Sequence, residues 1–296
     1  MQNELDVIRK GLEGQGYIAE PSIVMSIKLA QQLQKPLLIE GPAGVGKTAI
    51  AKVMADMQVT DLIRLQCYEG LDAYQAIYEW NYPHQLLHIK MLESQGYTVE
   101  QKEAELFSDR FLMERPLLKA IKSEKSSVLL IDEVDRADEE FESFLLELLS
   151  EWQITIPEIG TIKAQSIPQV ILTGNRTREL SEALRRRCLY LYIDYPSFEK
   201  EVQIIEQKVP GIDQQLAREI SAFMQEVRAM ELEKAPGVAE TLDWATALVE
   251  MHFDHLEKSL VEETLGVVLK DWDDMRETQT SLSELLDKVK VKSKLE

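Results

Sequence analysis

The segment Gly41-Pro42-Ala43-Gly44-Val45-Gly46-Lys47-Thr48 constrains this chain more than any other. It is a G-x-x-x-x-G-K-T loop, entered from the apolar run Pro36-Leu37-Leu38-Ile39. It leads into Ala49-Ile50-Ala51-Lys52-Val53-Met54-Ala55, which has neither Gly nor Pro and reads as helix. Strand, glycine-rich turn and helix N-terminus in that order make a cradle for phosphate. Successive backbone N–H groups point inward, Lys47 reaches the terminal phosphates, and the Thr48 hydroxyl is suited to Mg²⁺. Gly41 to Ala49 is therefore the candidate nucleotide-binding segment, with a nucleoside triphosphate as the expected ligand. The loop alone does not say what the nucleotide is used for.

A second motif narrows the choice. Val128-Leu129-Leu130-Ile131 is continuously apolar, as a parallel strand covered on both faces requires, and it ends in Asp132-Glu133. In a phosphate-loop fold such a strand tip lies beside the phosphates. Asp132 suits the outer shell of the Mg²⁺ that Thr48 would also hold, and Glu133 is placed to polarise a water for attack. The bland alternative is a carboxylate pair capping the next helix. Asn175 closes another apolar strand, Val170-Ile171-Leu172-Thr173-Gly174, where it could hydrogen-bond the attacking water or serve as an ordinary turn residue. Arg185-Arg186-Arg187 precedes a fifth β-type run. Residue chemistry leaves two uses open for these arginines: complementing a helix dipole, or stabilising developing phosphoryl charge, often in a neighbouring subunit.

Further β-type runs fall at Leu62–Cys67 and Leu189–Ile193, with helical patterns between the strands. Strands alternating with helices predict an α/β domain with a largely parallel sheet. The clearest helix carries Phe141, Phe144, Leu145, Leu148, Leu149 and Trp152 on one face. Just after it, residues 153–162 alternate and turn, as an inserted β-hairpin does. Beyond Tyr195-Pro196 only helical periodicity remains, down to a polar, Lys-rich end expected to fray. The division predicted is residues 1–195 as the α/β domain and 196–296 as a small helical one.

Composition removes several classes. Lys and Arg number 33 against 52 Asp and Glu, a net charge of −19, which opposes constitutive binding to a phosphate backbone. A nucleic-acid motor on the same fold would need a local basic loop. Cys67 and Cys188 lie far apart with no C-x-x-C pair, the pattern of buried reduced thiols in a cytoplasmic protein. No apolar run approaches a membrane span, and no N-K-x-D motif for reading guanine occurs. The pairs His84/His88 and His252/His255 have helical spacing but no Cys or H-E-x-x-H context for a metal. Tyr68, Tyr74, Tyr78, Trp80 and Tyr82 are expected to pack in the core or an interface rather than to form a recognition surface.

The phosphate loop, the Asp132-Glu133 strand end, Asn175 and the arginine run, in this order, resemble the AAA+ ATPases. That resemblance implies ATP as the nucleotide, a five-stranded sheet with a helical lid, and a hexameric ring. It also implies an arginine finger entering the next protomer's site, where Arg187 matches best and Arg186 second, and an adenine-facing segment at Gly16-Tyr17-Ile18. Ile131-Asp132-Glu133-Val134-Asp135-Arg136-Ala137 is similar to the MoxR family, and Leu65-Gln66-Cys67-Tyr68-Glu69-Gly70-Leu71-Asp72 to its CoxD-like branch. Members of that branch are chaperone-like ATPases that work with a von Willebrand factor A domain partner on a client such as carbon monoxide dehydrogenase. The main rival is a motor or loader acting on nucleic acid on the same fold, against which the net charge argues; a nucleotide-gated scaffold with little turnover is a rival of another class, and Glu133 argues against it. One departure stands out. Where MoxR relatives carry a lid arginine, this chain reads Pro236-Gly237-Val238-Ala239-Glu240-Thr241-Leu242-Asp243-Trp244.

Overall fold

A computed structural model describes residues 2–92 and 98–295. Five strands form one sheet: β1 (Leu37–Glu40), β2 (Leu62–Gln66), β3 (Val128–Asp132), β4 (Gln169–Gly174) and β5 (Leu189–Tyr192), in the order β2-β3-β4-β1-β5. Every pairing is parallel, including Gln66 opposite Asp132, Ile131 opposite Leu172, and Glu40 between Gly174 and Tyr192. The sequence shows why these strands sit where they do. β1 and β3 are buried at every position and β4 at all but its first, so their unbroken apolar runs face helices on both sides. β2 instead alternates exposed and buried, the pattern of an edge strand.

The expected hairpin is present, Gln153–Ile156 against Gly160–Lys163, packed beside the helix Glu139–Glu151. Asp138 caps that helix by accepting from the Phe141 N–H at 2.8 Å. A second hairpin, Tyr78–Trp80 against Leu112–Glu114, was not foreseen. Its strands have three residues each, too short to show alternation, and helices Tyr82–Leu92 and Val99–Leu106 stand between them. The aromatic residues there divide. Trp80 is buried and Tyr78 half-buried, whereas Tyr68, Tyr74 and Tyr82 are exposed and, with both of them, line an 820 Å³ cleft.

The chain forms two compact units. One contains the sheet, taking in Ala19–Glu40 and Thr48–Tyr192; the other comprises Gly16–Ile18, Gly41–Lys47 and the helices beyond Ile193. The core of the first joins Leu38, Leu129, Ile131 and Leu172 of the strands to Phe141, Leu145 and Leu148. The core of the second centres on Phe223 and Trp244, whose Nε1 donates to Thr264 at 2.9 Å. Through Leu295 the Lys-rich end is helical, not the loose tail expected. The helix Trp272–Leu295 buries Val289 and Ser293, and it is held by Arg218 Nε on the Ser293 carbonyl at 3.0 Å and Lys292 on Glu226 at 3.1 Å. Among the described residues no helix is long and apolar enough to cross a membrane.

Candidate active site

The phosphate loop runs from the tip of β1 to the helix Lys47–Gln58. Gly41 cannot be replaced: a Cβ there would lie 1.9 Å from the Ile193 carbonyl oxygen, and its φ is +156°. Lys47 is 7% exposed, and its ammonium donates to the carbonyls of Gly41 at 2.7 Å and Pro42 at 2.6 Å. An ammonium buried on carbonyl oxygens, inside a loop that glycines leave open, is the donor set of an anion cradle. The ring of Tyr17 comes within 3.8 Å of where a Cβ on Gly46 would sit, and Ile18 beside it is half-buried.

At the strand tips the structure brings together residues far apart in sequence. The Thr48 hydroxyl donates to Asp132 Oδ1 at 3.1 Å, so the two predicted metal ligands meet. Asp132 is 4% exposed and takes two more hydrogen bonds, from the Thr173 hydroxyl and from Arg64 Nη2, each at 2.5 Å. Hydroxyl and carboxylate oxygens are the hard donors that Mg²⁺ prefers, and a magnesium site commonly draws one or two carboxylates from protein. The donor set fits. Glu133 follows with φ +54°, a left-handed conformation costly for a residue with a Cβ. Its N–H donates to Thr173 Oγ1 at 3.0 Å and its carboxylate pairs with Arg136 Nε at 2.9 Å.

Asn175 is half-buried at the end of β4, and its backbone N–H donates to Asp135 Oδ2 at 3.0 Å. The same oxygen accepts from the Thr177 N–H and hydroxyl, at 2.8 and 2.7 Å, so Asp135 shapes the loop that carries Asn175. The arginines end the helix Glu182–Arg187, which Ser181 caps. Arg185 lies over Tyr190, Arg186 pairs with Glu182, and Arg187 Nε donates to Ser150 Oγ at 2.7 Å.

Sequence reasoning missed Arg64, Asp135 as a loop anchor, and Thr173. Thr173 carries a readable signal, since a lone hydroxyl in a buried apolar strand needs a partner. Arg64 carries none: on an alternating edge strand it reads as an ordinary exposed residue. Both cysteines are free thiols. Burial pushes the Cys67 thiol up to about 12, with the charges of Asp132, Asp135 and Glu133 adding to it. Burial does the same for Cys188 against the opposing charges of Arg187 and Lys35. Both shifts disfavour the thiolate, the form that acts as nucleophile.

Residues 36–188, more than half of the chain, match the AAA domain (dynein-related subfamily). The chain belongs to that AAA family. The matched span holds the phosphate loop, Asp132-Glu133, Asn175 and the arginines. An AAA domain implies the P-loop NTPase fold seen here and nucleotide binding, and supports an ATPase-type function. Among relatives, an uncharacterized protein of Staphylococcus epidermidis is 24% identical over 271 residues, 90% of this chain and 95% of that one. An uncharacterized protein of Staphylococcus aureus is 24% identical over 258 residues, covering 83% and 90%. Among solved structures, a mutant of Thermotoga maritima RuvB is similar at 18% identity and a TM-score of 0.49, covering 96% of this AAA chain and 78% of that one. The Thermotoga maritima RuvB Holliday junction branch migration motor is similar at 19% identity and a TM-score of 0.45, covering 90% and 74%.

Proposed function

We propose that this protein is a Mg²⁺-dependent ATPase of the MoxR type, in the CoxD-like branch, that spends hydrolysis on remodelling a client protein complex. The observation that carries the hydrolytic part is the hydrogen bond between Thr48 and Asp132, with Glu133 next in the chain at the same strand tip. Magnesium, when bound, neutralises charge on the phosphates. Thr48 and Asp132 would hold it. Lys47 and the N–H groups from Gly41 to Ala49 bind phosphate, with Tyr17 and Ile18 beside the base. Glu133 accepts a proton from water, or orients it, and Asn175 fixes that water from the adjacent strand. Arg187, with Arg186 as the second candidate, supplies positive charge to the site of a neighbouring subunit.

AAA+ proteins commonly assemble into rings, which supports a homo-oligomer, and a hexamer is the state proposed here. Residues 1–195 are the proposed nucleotide-binding domain and 196–296 the proposed lid. The motif resemblance around Asp132 and Cys67 supports a von Willebrand factor A domain partner and a client of the molybdenum-hydroxylase kind, in the cytoplasm. The test is Glu133→Gln, which keeps shape and removes the base. Turnover of ATP should fall by about a hundredfold or more while nucleotide affinity stays within a few fold. An unchanged turnover would remove Glu133, and this mechanism, from consideration.

A further inference from the structure

The lid segment that lacks an arginine reaches the phosphate loop with its backbone instead. Val238 is the first residue of the helix Val238–Glu250, and its N–H donates to the Gly44 carbonyl at 3.0 Å. One of the donors that a helix start leaves without an internal partner is thereby satisfied by the loop. The approach is close. A Cβ on Gly237 would lie 2.7 Å from the Ala43 carbonyl oxygen and 2.8 Å from Gly44 Cα, and a Cβ on Gly44 would lie 3.1 Å from Gly237 Cα. The spacing itself requires glycine at 237, and Gly44 is favoured as glycine by its φ of +74°.

The Gly237 segment is braced from beneath. Arg228, nearly buried, donates from Nε to the Pro236 carbonyl at 2.8 Å and bonds both carboxylate oxygens of the fully buried Glu201 at 2.8 Å each. Thr241 closes the cluster by donating to Glu201 at 2.9 Å, and the ring of Tyr195 lies 4.7 Å from the Arg228 guanidinium. On the other side of Gly237, Glu240 Oε2 accepts the Gly237 N–H at 2.9 Å.

We propose that Gly237–Val238 is a clasp that sets the orientation of the phosphate loop, with Val238 and Gly237 as positioning residues for nucleotide. The peptide between Gly44 and Val45 is planar and trans, so its C=O and N–H point in opposite directions. Holding the Gly44 oxygen toward the lid therefore turns the Val45 N–H the other way, the direction a phosphate cradle needs. Lys47 holds the carbonyls of Gly41 and Pro42, so the clasp adds an anchor at the loop's middle. Coupling of this kind is reciprocal: a clasp that favours bound nucleotide must itself be tightened by nucleotide. The inference rests on the nucleotide-binding reading of the loop given above.

Val238→Pro isolates the effect in the full-length protein. Proline is accepted at a first helical position, and Gly237, at φ −85° and ψ −175°, already has the extended conformation a residue before proline requires. The substitution deletes the N–H and leaves the helix. Affinity for a fluorescent ADP analogue should fall about tenfold, with KM for ATP rising in step and kcat changing little. Gly237→Ala, which pushes the segment off Ala43, should act in the same direction. In the unmodified protein, hydrogen exchange at the Val238 amide should slow by about tenfold when ADP is saturating. A folded Val238→Pro variant with affinity within twofold of the original overturns the clasp. So does Val238 exchange that ignores ADP, a result that stands even if neither variant folds. An original protein that binds no ADP would instead overturn the nucleotide reading itself.

Discussion

Thr173 is the residue on which the strand tips turn. Its hydroxyl donates to Asp132 and its oxygen accepts from the N–H of Glu133, the residue held at φ +54°. Thr173→Val keeps the shape, but strips a donor from a buried carboxylate and a partner from a strained peptide. A loss of about 1–3 kcal/mol in stability is expected, read as the shift of a denaturant midpoint. A change below about 0.5 kcal/mol would mean that water replaces the hydroxyl without cost. The two residues that Thr173 bonds were legible from sequence, because Asp132-Glu133 ends a continuously apolar run of strand length. Their partners were not. Arg64 reaches Asp132 because β2 pairs with β3 in a register that sets Gln66 opposite Asp132. Residue spacing along one strand carries no information about that register.

At the scale of elements, the five strands and the Gln153–Lys163 hairpin could be read because burial writes itself as apolar runs or alternation. The Tyr78–Glu114 hairpin could not, since two three-residue strands separated by helices leave no period to detect. The C-terminal helix shows the opposite error. Its lysines suggested a loose end, yet Val289 and Ser293 fall on the inward face among residues whose other faces are charged. Composition misled where periodicity would have served. Val289→Ala should therefore cost about 1–3 kcal/mol. A frayed helix would lose almost nothing, and thermal or urea unfolding separates the two.

For the whole molecule, the placement of Arg187 at a helix end, bonded to Ser150, is compatible with a role outside its own chain. If it serves a neighbour, Glu133→Gln and Arg187→Ala should each abolish most turnover when alone. Mixed assemblies should then regain a measurable part of it, because some interfaces pair an intact glutamate with an intact arginine. Mixed particles that form, as judged by co-purification of two tags, yet stay inactive would end the shared-site model.

The strand order has a consequence for how the chain comes to exist. β1, buried along its whole length, lies between β4 and β5. Leu37 pairs with Ile171 and Leu189, so its hydrogen-bonding partners leave the ribosome after a delay of about 130–150 residues. At elongation rates of about 5–20 residues per second that is roughly 7–30 s, during which an apolar strand has no sheet to join. Nearby β2 and β3 wait less, but they pair only with each other until β4 arrives. Synthesis must run past Tyr192 before the sheet can close, a topology of the kind that folds late and leaves an apolar strand open to aggregation in the interval.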